Sequence, residues 1–162
     1  MNWAWRVDGI GSLNIRLANV EDAGQIAASI NALILELGGG ALPVAEAQAM
    51  CDRVISGEAD GAIVIADDGD RVVGVCTVSF QDAIRTLGKY AIIQEMYIDA
   101  AHRNGGLGAQ LVDAVSAEAA SRGCRIVELG TPPGGANAER FYERIGFSHV
   151  GRRLRRVLNS GE

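Results

Sequence analysis

The spacing of apolar residues over the first 55 positions predicts a strand followed by two helices. Residues 13–17 (LNIRL) alternate apolar and polar side chains at period two, which is typical of a half-buried strand. Apolar residues then recur at helical spacing over residues 20–37, where three glycines end the helix, and again over residues 44–55. This part of the chain therefore has the predicted order β-α-α.

Three extended runs rich in valine and isoleucine come next. They cover residues 62–66, 71–80 and 90–99. The intervening Asp67-Asp68-Gly69-Asp70 predicts a hairpin turn between the first two runs. Alternation along the third run places four side chains, two of them carboxylates, on one face: Ile93, Glu95, Tyr97 and Asp99.

The remaining residues predict two helices and two strands. The helix over residues 106–122 carries apolar side chains four residues apart and ends at Gly123, and a short buried strand follows at residues 124–129. After a proline- and glycine-rich loop, residues 138–145 predict a short helix and residues 147–157 a last strand. The order β-α-α-β-β-β-α-β-α-β predicts an α/β fold of the mixed (α+β) kind, in which helices flank a mostly antiparallel twisted sheet.

The composition is typical of a soluble globular protein. The chain has 162 residues, of which 48% are apolar and 22% charged, and no apolar run approaches the ~18 residues that span a bilayer. We expect one domain over residues 13–158, after an N-terminal extension (residues 1–12) that lacks the apolar segment of a secretory signal. Three scattered cysteines and two histidines predict neither a disulfide framework nor a metal site. We therefore expect a cytoplasmic protein that binds no metal.

The segment QEMYIDAAHRNGGLGAQLV, residues 94–112, carries the clearest functional signal. It predicts a strand, a glycine-dense loop and a helix that begins inside the loop. At a helix N-terminus unpaired amides and the positive end of the dipole attract anions, and glycine lets a phosphate approach the backbone. The spacing fits neither G-x-G-x-x-G nor a P-loop, but it fits R-x-x-G-x-G at Arg103, Gly106 and Gly108. We expect a diphosphate site here, with Arg103 meeting a phosphate and bracing the loop.

This motif resembles the coenzyme A site of the GNAT N-acetyltransferases, where it follows a strand of the type E-x-[YF]-[VI], here residues 95–98 (EMYI). A second family motif is similar to residues 137–147 (NAERFYERIGF). The resemblance implies the single-domain GNAT fold and acetyl-coenzyme A as the acyl donor. It also implies that the coenzyme contacts Met96, Tyr97, Ile98, Arg103, Asn104, Gly105, Gly106, Leu107, Gly108, Ala109, Asn137, Tyr142 and Arg144.

The resemblance further implies roles in acetyl transfer to an amine. Tyr142, whose phenol is protonated at neutral pH, would protonate the departing thiolate, or it would be only a packed aromatic. Glu95 would accept the proton of the substrate ammonium through water, or would hold the cation. Asn137 would hydrogen-bond the coenzyme or cap its helix. The backbone of Met96 and Ile98 would pair with the pantetheine arm.

Two alternative functions compete with acetyl transfer. Residues 128–131 (ELGT) resemble the start of a methyltransferase motif that binds S-adenosylmethionine. A non-catalytic sensor of acyl-coenzyme A would carry the same diphosphate site as the enzyme. A ligand-dependent stabilisation distinguishes the first alternative, and turnover distinguishes the second.

The distribution of charge bears on the partners. Residues 1–100 carry six basic and fourteen acidic side chains, and residues 101–162 carry nine and six. An acidic half suits a cationic acceptor, so we expect a small-molecule amine, or a protein N-terminus or lysine. The arginine run at residues 152–156 lacks interleaved aromatics, so we expect no nucleic acid and no membrane as partner. This run is interpreted as a strand margin or as a contact within a homodimer.

Overall fold

A computed structural model describes residues 5–6 and 13–158, and a six-stranded sheet forms its centre. The strands are β1 (Trp5–Arg6), β2 (Asn14–Leu17), β3 (Gly61–Asp67), β4 (Val72–Ala83), β5 (Gly88–Ile98) and β6 (Val127–Leu129). They lie side by side in chain order, and every neighbouring pair is antiparallel except β5 and β6. The predicted mixed, mostly antiparallel sheet is confirmed. β1 falls within the predicted N-terminal extension, whose other residues lie outside the described ones.

The described part of the chain contains four α-helices, close to the predicted positions. They are α1 (Ala23–Glu36), α2 (Val44–Ile55), α3 (Leu107–Ser121) and α4 (Ala136–Arg144). α1 begins later than predicted because residues Val20–Asp22 form a 3-10 turn. In this turn the Asn19 side chain accepts from the Glu21 amide at 2.9 Å, and Asp22 accepts from the Asn19 amide at 2.8 Å. The two side chains satisfy amides that a helix start leaves without partners.

α1 and α2 cover one face of the sheet. Their buried cluster contains Ala23, Ile26, Ala27 and Cys51 from the helices and Ile63, Ile65, Val72 and Val75 from β3 and β4. Burying a large aliphatic side chain of this kind contributes about 1.5–3 kcal/mol. α1 also packs against β5, so this layer lies over the strand that carries the predicted site.

α3 covers the opposite face and approaches β4 closely at Gly74. A Cβ atom at Gly74 would lie 3.0 Å from Leu111 Cδ1, which is tighter than normal packing, and 3.4 Å from Leu107 Cδ2, which is van der Waals contact. Both leucines are almost completely buried. Because Leu107 is the first residue of α3, this contact holds the start of the helix against the sheet.

The chain forms a mixed α/β domain whose contacts divide into two compact units between Leu129 and Gly130. The first unit contains the sheet and α1 to α3. The second contains α4, where the Tyr142 ring packs edge-on against Phe141 and Phe147, with ring centres 5.0 and 5.5 Å apart.

The last strand predicted from the sequence, residues 147–157, is wrong. The structure has no strand between residues 147 and 158. The apolar residues Val150, Leu154 and Val157 are 83%, 94% and 81% exposed. In a strand Val150 and Leu154 would share one face and Val157 would lie on the other, so the apolar side chains do not form a single face that the domain could bury.

A buried ion cluster joins β2 to β3 and to the turn before α1. Arg16 Nη1 lies 2.7 Å from Asp22 Oδ2, and Arg16 Nε lies 2.9 Å from Asp67 Oδ2. Burial by itself raises the pKa of Asp22, but hydrogen bonds from Arg16 and the Asn19 amide outweigh it and hold this pKa below its usual value. Because the folded-state pKa is lowered, the carboxylate stabilises the fold above about pH 4, and the contribution is lost as the pH falls through the folded value.

Replacing Arg16 by glutamine leaves two buried carboxylates without their cation. We expect Arg16→Gln to lower the free energy of unfolding by about 3 kcal/mol at neutral pH. Because protonation then removes an uncompensated buried charge, the deficit should shrink as the pH falls toward about 4. Urea unfolding of both proteins across this pH range measures the difference.

Arg71→Gln is the matched control for this prediction. Arg71 Nη2 lies 2.9 Å from Asp99 Oδ2, but the arginine side chain is 68% exposed. An exposed pair of this kind contributes about 0–1 kcal/mol. Equal losses in the two variants, or an Arg16→Gln deficit that ignores pH, would contradict the role given to the buried cluster.

Candidate active site

The second half of β5 has an edge to which β6 does not pair. β4 pairs with β5 along its whole length, but β6 pairs with it only over Ala91–Ile93. The Asp99 amide donates to the Val73 carbonyl at 2.9 Å, on the β4 side. Strand geometry therefore directs the backbone groups of Met96 and Ile98 to the opposite edge. An extended ligand can add to a strand edge of this kind through main-chain hydrogen bonds.

A bulge at Gln94 sets the direction of the side chains in this half of β5. Thr77 pairs with Glu95, whereas the next β4 residue, Val78, pairs with Ile93, so Gln94 is the extra residue. The predicted grouping of Ile93 with Glu95 on one face is therefore wrong, because the bulge shifts the alternation by one residue. Glu95 shares the face of Thr77, which α1 and α2 cover.

Thr77 contacts Glu95 at two points. The Thr77 hydroxyl donates to Glu95 Oε2 in a short hydrogen bond, and its oxygen accepts from the Glu95 amide at 3.1 Å. Cys51 of α2 lies near this carboxylate: burial raises the pKa of the Cys51 thiol, and the charges of Asp52 and Glu95 raise it further. The sheet therefore presents a half-buried, oriented carboxylate beside α2.

Asp99, the other carboxylate predicted on this face, is already paired. Its Oδ2 lies 2.9 Å from Arg71 Nη2. Glu95 has no ion-pair partner among residues 13–158. The acidic face that the sequence predicts is therefore reduced to one carboxylate available to a cation.

Arg103 braces the loop between β5 and α3, as predicted. Its Nε donates to the Ile98 carbonyl at 2.8 Å, and its Nη2 donates to Glu36 Oε1 at 2.7 Å. The guanidinium carbon also lies 5.6 Å from the centre of the Tyr97 ring. Glu36 at the end of α1 thus occupies part of the guanidinium that the sequence assigns to a phosphate. Because this ion pair is solvent-exposed, replacing Glu36 by another anion costs little.

The start of α3 carries no side-chain cap from the described residues. Its N-cap, Gly106, has φ 86°, and Asn104 has φ 63°. No acidic residue lies in the first turn, and no atom would meet a Cβ added at Gly106 within 4 Å. The amides of Leu107, Gly108 and Ala109 lack acceptors inside the helix. They therefore present hydrogen-bond donors and the positive end of the dipole to an anion.

A small cavity lies beside this loop. Its volume is about 100 Å³, and its wall includes Arg103, Gly105 and Leu107. His102 also lines it, and the buried Nδ1 of this histidine has no hydrogen-bond partner among the described residues. Since three predicted coenzyme contacts form its wall, the cavity belongs to the candidate diphosphate site.

The second predicted motif lies on α4, in the second unit. The N-cap of α4 is Gly135, and Asn137 Oδ1 accepts from Arg140 Nη2 at 2.5 Å inside the first turn. The alternative in which Asn137 caps the helix is therefore wrong, because α4 begins earlier than predicted. Arg144 is exposed and Tyr142 is half-buried.

Two residues of the site were not predicted from the sequence. Thr77 is a polar residue within the buried run VVGVCTV of β4, and that contrast is a signal the sequence does contain. Glu36 carries no such signal, because its contact with Arg103 joins residues 67 positions apart.

Among the described residues no group of three or more histidine, cysteine or acidic side chains is placed to hold a metal ion. No helix in the described part has the length and apolarity needed to cross a membrane.

Comparison with known proteins identifies relatives of this fold. A possible acetyltransferase from Clostridium difficile 630 is 19% identical, with a TM-score of 0.80, and the match covers 92% of this chain and 99% of that one. The aminoglycoside N-acetyltransferase AAC(6')-Iy, in complex with CoA, is 17% identical, with a TM-score of 0.80 and coverage of 94% and 98%. Glucosamine-6-phosphate N-acetyltransferase from Arabidopsis thaliana is 19% identical, with a TM-score of 0.74 and coverage of 91% and 99%.

At these identities the likeness to solved structures establishes the fold. The search of curated proteins found no match to the chain. The family assignment comes from the sequence itself, since residues 21–147, most of the chain, match the acetyltransferase (GNAT) family. The chain therefore belongs to the GNAT family of acetyltransferases, which use acetyl-coenzyme A.

Proposed function

We propose that the protein is an N-acetyltransferase that moves the acetyl group of acetyl-coenzyme A to a primary amine by direct attack in a ternary complex. The observation that carries the proposal is the start of α3, whose first amides follow a loop held by Arg103. This anion site comes directly after β5, and β6 does not pair with the part of β5 beyond Ile93. A diphosphate followed by an extended, amide-containing arm, as in coenzyme A, suits that combination.

The sheet disfavours the S-adenosylmethionine alternative. A doubly wound nucleotide-binding fold is built on parallel strands, whereas among the strands of the described residues only β5 and β6 pair in parallel. Glu128, the acidic residue of the methyltransferase-like segment, is held at 3.0 Å by Arg85 Nη1. That carboxylate is therefore engaged in joining β6 to the β4–β5 connection.

The chemistry needs a neutral amine, a polarised carbonyl and a proton for the departing thiolate. In the proposal Glu95 takes a proton from the acceptor ammonium, directly or through water. The amine nitrogen then attacks the thioester carbonyl, which a backbone N–H of β5 polarises. As the C–N bond forms and the C–S bond breaks, Tyr142 gives its phenolic proton to the coenzyme sulfur.

The cysteines support direct attack over an acetyl-enzyme intermediate. Burial raises the pKa of Cys76 to about 12, and the Glu95 charge adds to the effect. Burial also raises the pKa of Cys51 and of Cys124. Only a thiolate attacks a thioester at a useful rate, so no cysteine of the chain is suited to carry the acetyl group at neutral pH.

The acceptor is proposed to be a small-molecule amine, or a protein N-terminus or lysine. Glu95 supplies a carboxylate without an ion-pair partner among the described residues, which suits one ammonium group. Two similar structures are named for an aminoglycoside and for glucosamine-6-phosphate. Amino sugars therefore belong in the first acceptor panel, together with polyamines and peptides.

Ligand-dependent stability tests the coenzyme assignment. Acetyl-coenzyme A at about 100 times its dissociation constant should stabilise the fold by about 2.7 kcal/mol, and S-adenosylmethionine should not. Thermal unfolding with each ligand and with neither gives the comparison. A shift with S-adenosylmethionine alone would overturn the proposal. Binding of acetyl-coenzyme A without thiol release across the amine panel would instead favour the sensor.

Glutamate at Ala109 separates coenzyme binding from helix stability. Ala109 is the third residue of α3, where a carboxylate favours the helix dipole by about 0.3–1 kcal/mol but repels a bound diphosphate. We expect Ala109→Glu to be at least as stable as Ala109→Gln, which has a similar size and no charge. It should bind acetyl-coenzyme A about tenfold more weakly by calorimetry. Equal affinities of the two variants would place the diphosphate elsewhere.

Phenylalanine at Tyr142 removes the proposed proton donor and keeps the aromatic ring. The edge-on contacts of the ring with Phe141 and Phe147 do not need the hydroxyl. We expect Tyr142→Phe to lower kcat by about tenfold or more, with the dissociation constant for acetyl-coenzyme A nearly unchanged. Steady-state kinetics and a coenzyme titration measure the two quantities. An unchanged kcat would remove Tyr142 from the mechanism.

A further inference from the structure

We infer that Thr77 is a positioning residue, which holds the Glu95 carboxylate in the orientation that accepts a proton from the acceptor amine. The inference rests on the proposed function, in which Glu95 is the proton acceptor. Thr77 belongs to β4 and pairs directly with Glu95 across the β4–β5 ladder. It does not belong to either motif that the sequence shares with the family.

The hydrogen bonds of Thr77 leave its hydroxyl little choice of direction. The oxygen accepts from the Glu95 amide at 3.1 Å, and the hydroxyl hydrogen is donated to Glu95 Oε2. A threonine hydroxyl has one hydrogen to donate, and Thr77 gives it to Glu95. The group that donates to the Thr77 oxygen, the backbone amide, belongs to the same glutamate. The result is a clamp that ties the carboxylate to its own backbone.

The clamp distinguishes the two oxygens of Glu95. Oε2 carries the hydrogen bond from Thr77, so Oε1 is left to receive the proton. When the acceptor ammonium is deprotonated, an N–H bond breaks and an O–H bond forms at Oε1, while Oε2 keeps its hydrogen bond. Without the hydroxyl, the glutamate side chain regains rotamer freedom, and fewer of its conformations point Oε1 at the amine.

The bulge at Gln94 gives the hydrogen bonds of Thr77 an ordering role in this part of the sheet. Because Gln94 is an extra residue, both Gln94 and Glu95 point toward hydroxyls of β4: Gln94 Nε2 donates to Ser79 Oγ at 2.8 Å. A bulge loosens the local ladder, so side-chain hydrogen bonds replace part of its ordering effect. Ser79 orders the exposed bulge residue, whereas Thr77 orders the carboxylate.

Three substitutions test the inference. Thr77→Val keeps the shape of the side chain and removes the hydroxyl, Thr77→Ser keeps the hydroxyl, and Ser79→Ala removes the neighbouring hydroxyl of β4. We expect Thr77→Val to lower kcat by about tenfold or more, with the affinity for acetyl-coenzyme A unchanged. Thr77→Ser should stay within about threefold of the wild type, and Ser79→Ala within about twofold.

A double-mutant cycle with Glu95→Gln separates positioning from a general structural effect. If Thr77 acts through the carboxylate, Thr77→Val should cause no further loss of kcat in the Glu95→Gln background. Wild-type kcat in Thr77→Val, equal losses in Thr77→Val and Thr77→Ser, or the same loss in both backgrounds would each overturn the inference and leave the proposed function standing. Absence of turnover by the wild type with every amine would overturn both.

Discussion

The proposed function depends on one interaction, between an anion and the first amides of α3. Four amides at a helix start have no partner in the helix. The turn before α1 satisfies two such amides with the side chains of Asn19 and Asp22, whereas α3 begins at Gly106 without any side-chain cap. A side-chain cap contributes about 0.5–2 kcal/mol to stability. In the proposed function a bound diphosphate takes the place of the missing cap and stabilises the folded protein.

An uncapped start alone does not distinguish α3, since the N-cap residues of α1, α2 and α4 also make no side-chain cap hydrogen bond. What distinguishes α3 is its setting. The close contact at Gly74 holds Leu107 against the sheet, and Arg103 ties the loop to the last carbonyl of β5. The first amides of α3 therefore have a fixed position next to the part of β5, beyond Ile93, with which β6 does not pair. Rigid elements on both sides are what make the loop a preorganised site.

The reactive side of the site depends on a single irregularity of the sheet. The bulge at Gln94 moves Glu95 to the face of Thr77, under α1 and α2. It also separates the carboxylate from Ile93, which a regular strand would place beside it. Asp99 is paired with Arg71, whereas Glu95 accepts a hydrogen bond from Thr77. In the proposed function Glu95 attracts the ammonium and accepts its proton, and Thr77 orients the carboxylate.

Much of this arrangement follows from local sequence patterns. The helical periodicity of residues 44–55 and the hairpin signal of residues 67–70 describe interactions between near neighbours, and both predictions are confirmed. The bulge and the pairing of Arg103 with Glu36 depend on residues far apart in the chain, which periodicity does not report. The last predicted strand is absent, and Val157 breaks the two-residue repeat that Val150 and Leu154 begin, so no single apolar face continues through the segment. The elements that carry the contiguous motifs were therefore predictable, whereas the pairing of Thr77 with Glu95 was not.

The most direct measurement is an amide-resolved NMR titration with two ligands. Acetyl-coenzyme A should shift the amide resonances of Leu107, Gly108 and Ala109 strongly, because hydrogen bonds to phosphate deshield these protons. Acetyl-pantetheine, which lacks the diphosphate, should leave the three resonances nearly unchanged while still shifting residues of β5. Equal shifts of the α3 amides with both ligands, or none with acetyl-coenzyme A at saturation, would contradict binding of the diphosphate at this helix.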